Sequence, residues 1–251
     1  MNRSKIPDKA IKSLYGKAAG RCSFTECRKE LILDGKDGAS VIGEMAHIYA
    51  YGDEGPRANS SLDKLSKNSY DNLILLCPNH HTEIDKRPDK YTIESLTNMK
   101  LAHEEWISEA LKENMQNVTF SELDVIIKAI ANKNIPNPTQ DLTLISVSTK
   151  INKNDLGKKS QEKIKYGMLK VSSVEEYLST VLLLDADFPE RLKTGFITKY
   201  NELKATSITG DDLFEEMFQF SCLNKTTDFL YSASGLAVLV YFFQNCEVFE
   251  K

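Results

Sequence analysis

Apolar positions in the first third of the chain come at two spacings. Ile6, Ala10, Leu14 and Ala18 fall roughly on one face of a helical wheel and predict an amphipathic helix over 7–19. A tight turn over 22–27 follows, then a short apolar strand, Leu31-Ile32-Leu33. Asp34-Gly35 and Asp37-Gly38 are turn signals, and Val41 to Ile48 reads as a second strand. The stretch 51–70 is polar and rich in Gly, Ser and Asn, which predicts a surface loop. Leu73-Ile74-Leu75-Leu76 is a buried run leading into a helix that starts within 77–85. A longer helix should open near Thr92 or Ser95, either of which can cap it, and run to about Met115.

Beyond that point the pattern is helical. Helices are predicted over 120–131, 156–169, 174–184, 189–204 and 211–220. The stretch 229–243 is apolar almost all round, as expected of a central buried helix. Pro136 and Pro138 mark a break, because each removes a backbone donor and biases its predecessor away from helix. The pattern thus predicts an α+β domain over 1–117, a connecting segment over 118–148 and a mainly α-helical domain over 149–251.

Composition narrows the class. A hydrophobic fraction of 41% and a charged fraction of 27% are ordinary for a soluble protein. The longest apolar run, Leu236 to Phe243, is far below the ~20 residues of a membrane span. Residues 1–20 lack the apolar core of a signal peptide, so a cytoplasmic location is expected and no membrane partner. In that compartment clustered cysteines favour metal over cross-links. The net charge of −4 gives no general attraction for nucleic acid, so any such contact must come from a local patch, a bound cation or a partner.

The chemistry-bearing residues are concentrated upstream: all four histidines and the one tryptophan lie in the first 106 residues. Cys22 and Cys27 are separated by four residues, and Cys77 and His80 by two, two close pairs of soft or borderline donors that suit tetrahedral zinc. Either pair alone reads as buried cysteines and a hydrogen-bonded histidine. Two pairs around a strand-loop-strand unit favour zinc, which can contribute ~10–16 kcal/mol to the folding of so small a region.

A second group comprises His47, Asn72, His81 and Asp85. Phosphodiester cleavage with one metal ion needs a base to activate water and a hard cation opposite it. A neutral histidine on a strand suits the base at pH 7. His81 and Asp85, four apart on a predicted helix, share a face on which they can hold one cation. The Asn72 amide can hold the base-bearing loop or orient the histidine.

Ala46-His47-Ile48 and Asn72-Leu73-Ile74-Leu75-Leu76-Cys77-Pro78-Asn79-His80-His81 resemble the HNH endonucleases over about 17–106. The resemblance implies a ββα-metal fold, His47 as general base, Asn72 as the middle asparagine and His81 as ligand of a catalytic Mg²⁺ or Mn²⁺. It also implies Asp85 as a further ligand and a structural zinc on Cys22, Cys27, Cys77 and His80. The chain departs from the commonest pattern in three places. Four residues rather than two separate the first cysteine pair, and His80 stands where a fourth cysteine is common. Ala46 occupies the place before the base where many members carry an acidic ligand. Glu44, two residues earlier on the same strand face, is therefore a candidate ligand. Arg57, in Gly55-Pro56-Arg57, is a candidate phosphate contact or a solvated loop arginine. Lys86-Arg87 are candidates for supporting the nucleic-acid backbone, and His103 and Trp106 are expected to pack against the finger.

The C-terminal half carries no ligand cluster, and Cys222 and Cys246 read as buried small hydrophobes. The segments 150–156, 210–214 and 237–251 resemble the effector C-terminal domain of bacterial ABC-three-component conflict systems. That resemblance implies a module that docks onto a small middle component and an ABC-type ATPase; a second copy of the chain is a further candidate partner. The expected function is a metal-dependent endonuclease, acting on DNA rather than RNA, as an antiphage effector. The rival is a non-catalytic zinc-finger adaptor that binds nucleic acid and docks to the ATPase.

Overall fold

The computed structural model describes residues 5–33, 40–58, 62–131, 146–245 and 248–250. The turn signals at 34–38, Pro136, Pro138 and Cys246 lie outside them. Two compact units, Met1–Glu109 and Ala110–Lys251, divide the chain. The first is α+β and the second helical.

The first unit opens with helix α1 (Asp8–Lys17), whose Ala10 and Leu14 are buried. Strands β1 (Ile32–Leu33) and β2 (Ser40–Val41) form one antiparallel pair. A second pair joins β3 (Glu44–His47) to β4 (Leu73–Leu76) in antiparallel register, with His47 opposite Leu73 and Glu44 opposite Leu76. The single strand predicted over 41–48 is thus divided between two sheets. Gly43 sits at the break, where a Cβ would lie 2.8 Å from the Tyr15 hydroxyl and 3.2 Å from Leu31. All four residues of β4 are buried, in a core with Leu14, Leu31, Ile48, Ile84 and Leu96.

The predicted surface loop over 51–70 is only partly one. It contains a short helix, α2 (Lys64–Lys67), capped by Asp63, whose side chain accepts from the Ser66 N–H. Lys67 and Asn68 are buried. A polar composition concealed this, because these side chains are buried by pairing with polar groups rather than by apolar packing. A 3₁₀ turn (Tyr70–Asn72) leads into β4, and helix α3 (Pro78–Lys86) follows at once, completing a ββα unit. Helix α4 (Ile93–Met115) begins where predicted and runs from the first unit into the second.

In the second unit, helices α5 (Phe120–Ala131), α6 (Val147–Lys153), α7 (Lys158–Met168), α8 (Val171–Leu182), α9 (Phe188–Ala205) and α10 (Gly210–Ser221) surround α11 (Phe229–Gln244). Eleven of α11's residues are buried, from Ser232 to Phe243, as its all-round apolar pattern requires. Gly167 lets α7 approach Val240, and Gly235 lets α11 cross the Ser221–Cys222 backbone; an added Cβ would lie 2.5 and 2.6 Å from the nearest atoms. Helix α5 lies within the stretch expected to connect the two domains, yet it packs on α9 and α11. Helix α6 was not anticipated. Its Lys150 reaches the Phe243 carbonyl at 2.9 Å, and Asn154, just beyond its end, exchanges two 3.0 Å hydrogen bonds with Glu250. Cys222 is wholly buried, as expected. No helix among the described residues is long and apolar enough to cross a membrane.

Candidate active site

The turn from β4 into α3 creates the site. Cys77 is extended (φ −74°, ψ 158°), and Pro78 starts the helix where its missing N–H costs nothing. The Cys77 carbonyl accepts from the His81 N–H at 2.9 Å, closing the first helical turn. His80 and His81 are consecutive in that turn, and successive helical side chains diverge by ~100°. The two imidazoles therefore serve different clusters.

On one side, Cys22, Cys27, Cys77 and His80 bring their ligand atoms within 4.8 Å of one another. The His80 Nδ1 lies 3.1 Å from the Cys77 Sγ and 3.7 Å from the Cys22 Sγ. Edges of roughly 3.5–3.8 Å are those of a zinc tetrahedron with ~2.3 Å Zn–S bonds, so this donor set fits zinc. The Ser23 N–H donates to the Leu75 carbonyl at 2.8 Å, fixing the cysteine turn on β4, and the Cys77 N–H donates to the Cys22 Sγ at 3.2 Å. Burial pushes the Cys22 thiol up to about 12, against the N–H donors that favour its thiolate. A bound dication would reverse that balance. The Phe24 ring lies flat on the His80 imidazole, centroids 3.8 Å apart and planes 6° apart, and sets its angle. Sequence reasoning did not find Phe24.

On the other side, the His81 Nδ1 contacts the Glu44 carboxylate, and its Nε2 lies 3.4 Å from Asp85 Oδ2. Both carboxylates are 45% exposed and meet opposite nitrogens of the ring, so the imidazole with either one is a two-donor start for a hard or borderline divalent cation. Glu44, the acidic neighbour of His81, enters from β3 in place of Ala46, which is fully buried. These groups meet pairwise. Among the described residues, the cysteine cluster is the one group of three or more donors already gathered at metal-binding spacing.

His47 closes β3. It is 8% exposed, and its Nε2 lies 3.0 Å from the Asn68 Oδ1. Asn72 spends its whole side chain on backbone: Oδ1 accepts from the Tyr49 N–H at 2.8 Å, and Nδ2 donates to the Tyr49 and Lys67 carbonyls at 2.9 Å each. It therefore holds the loop beyond His47, one of the two roles its position allowed.

Arg57 departs from one of the two sequence expectations. Its side chain is only 4% exposed, so it is not a solvated loop arginine. Its guanidinium is turned inward. Nε donates to the Ile48 carbonyl at 3.0 Å, Nη1 to Ile84 at 2.9 Å, and Nη2 to Asp85 Oδ1 at 2.9 Å and the His47 carbonyl at 3.5 Å. These bonds tie the His47 strand to the helix carrying His81 and Asp85. Lys86 and Arg87 are exposed at the end of α3, Arg87 lying 3.4 Å from Glu83. His103 is buried beside Trp106, with Nε2 donating to the Ala18 carbonyl at 3.2 Å, so it packs as expected.

Residues 22–87 match the family model described as HNH endonuclease. The match spans both clusters, His47 and Asn72, and supports a nuclease built on the ββα unit. No curated protein matches the chain.

Proposed function

We propose that the first unit is a metal-dependent endonuclease hydrolysing phosphodiester bonds, DNA in preference to RNA. The observation that carries this reading is the division of labour at the start of α3, where His80 joins three cysteines and adjacent His81 joins two carboxylates, inside the segment matched by the endonuclease model. Zinc on Cys22, Cys27, Cys77 and His80 is structural. His81 with Asp85, and Glu44 from β3, would hold Mg²⁺ or Mn²⁺, which supplies charge stabilisation at the leaving oxygen when bound. His47 takes the proton of the attacking water. Its imidazole is confined between strand and loop, with Nε2 3.0 Å from the Asn68 Oδ1. Arg57 keeps the base strand and the ligand helix in register through the His47 carbonyl and the Asp85 carboxylate.

A nicking assay on supercoiled plasmid and on RNA, with Mg²⁺ and Mn²⁺, tests the assignment. His47→Ala should lower the rate by roughly 10²–10⁴-fold, with the fold and zinc content retained. His81→Ala should give a folded, zinc-loaded, inactive protein. Wild-type cleavage by His47→Ala would remove the base from the scheme. Nucleic-acid binding without cleavage at every metal would favour the adaptor.

The second unit is read as a partner-docking module of a conflict-system effector. In support, the three segments carrying that resemblance meet in the fold: Lys150 on Phe243, Asn154 on Glu250, and Phe214 against Phe249. Leu183 and Leu184, 85% and 87% exposed beyond α8, offer apolar area for a partner to cover. Co-purification with the products of adjacent genes, an ABC-type ATPase among them, tests it; a chain that elutes alone would count against it.

A further inference from the structure

We propose that Asn68 is the positioning residue that sets the tautomer of His47, and that Asn72 acts through Asn68 rather than on the imidazole. The functional part of this inference rests on His47 being the base; the structural part does not.

None of Asn72's side-chain hydrogen bonds reaches His47: all three end on the backbone of Tyr49 and Lys67. Asn68, 3% exposed, does reach the ring: its Oδ1 lies 3.0 Å from Nε2. A carboxamide oxygen has no proton to give, so Nε2 must carry one. The nitrogen that takes a proton from water is then Nδ1. A ring flipped to the other tautomer would present an N–H there and could not act as base.

Asn68 is itself over-determined. It ends α2, and its N–H donates to the Leu65 carbonyl at 3.1 Å. The preceding residue, Lys67, is pinned at both ends. Its Nζ donates to Asp53 at 2.9 Å and to the Tyr51 carbonyl at 3.3 Å, and its carbonyl accepts the Asn72 amide at 2.9 Å. The Tyr51 ring, 5.7 Å from the imidazole, packs beside it. The Asn72 amide thus fixes Lys67, Lys67 fixes Asn68, and Asn68 fixes the ring. Two residues buried in a stretch of loop-like composition become part of the site.

The experiment uses the full-length, zinc-loaded chain with ¹⁵N-labelled histidine, reading the His47 ring nitrogens by NMR alongside plasmid nicking. Wild type should show the proton on Nε2. Asn68→Leu should lose that single tautomer and cut kcat at least about tenfold, a part of the roughly 10²–10⁴-fold a base contributes, at unchanged KM and zinc content. Asn68→Asp keeps the accepting oxygen and should restore both the Nε2 proton and most of the rate. Asn72→Ala should disturb the same resonances without touching the ring. A proton on Nδ1 in the wild type, or an unaltered tautomer in folded Asn68→Leu, would overturn the proposal. If the tautomer follows Asn68 while His47→Ala still cleaves at the wild-type rate, the base assignment falls and Asn68's hold on the ring stands.

Discussion

Phe24 lies parallel to His80 at 3.8 Å, a flat ring holding the one nitrogen donor of an otherwise sulfur cluster. A ligand oriented this way needs no rotamer search when the metal arrives, so the stacking should act on metal retention rather than on ligand identity. Phe24→Ala keeps all four donors and should lose zinc to a chelator roughly 10–100-fold more readily. His80→Ala removes a donor and should unfold the first unit. Metal analysis with chelator competition, followed by circular dichroism, separates the two.

Arg57 makes a different prediction from a phosphate-reading arginine. Truncation to Ala leaves the Ile48 and Ile84 carbonyls without their guanidinium donors, each a loss of ~1–3 kcal/mol. The Asp85 pair adds little, since that carboxylate is 45% exposed. Urea melts should therefore show Arg57→Ala destabilised by about 2 kcal/mol or more. Arg57→Lys should recover only part, because a single ammonium cannot span carbonyls on both sides. An unchanged melt with only a raised KM would point back to a phosphate contact.

His103 should make the first unit sensitive to acid. Burial holds its imidazole below the usual value, and the neighbouring Arg28 and Arg21 act in the same direction, against the Ala18 hydrogen bond. Its Nδ1 is buried without a hydrogen-bond partner among the described residues. A depressed folded-state pKa gives stability that is complete above the unfolded value of ~6.5 and is lost as pH falls through the folded one. Unfolding free energy measured from pH 7.5 to 5 should fall on the acid side, and His103→Gln should flatten that slope.

Gly235 offers a control confined to the second unit. A Cβ there would lie 2.6 Å from the Ser221 carbonyl oxygen and 2.8 Å from the Cys222 nitrogen, both backbone atoms that cannot swing aside. Gly235→Ala should cost ~1–3 kcal/mol by overpacking. Calorimetry should show the loss in the helical unit's transition, with zinc content unaffected.

The sequence by itself determined the elements whose information is local. Period-3.6 stripes gave α1 and α5 to α10, and an all-round apolar stretch gave α11; α6 is the exception, since seven residues are too few to display a period. The apolar run Leu73–Leu76, followed by Pro78, located β4 and the start of α3, and with them Cys77, His80 and His81. Ligand spacing separated the cysteine cluster from the His81–Asp85 pair before any coordinates, because helical geometry fixes which neighbours share a face. Only the tertiary structure decided what reaches those residues from elsewhere in the chain. Glu44 meets His81 across 37 positions, Phe24 covers His80 from the cysteine turn, and Arg57 turns inward to bind carbonyls of two elements. Asn68 belongs with them. A polar residue in a polar stretch carries no periodic signal, and its burial against His47 comes from hydrogen bonds whose partners are set by packing.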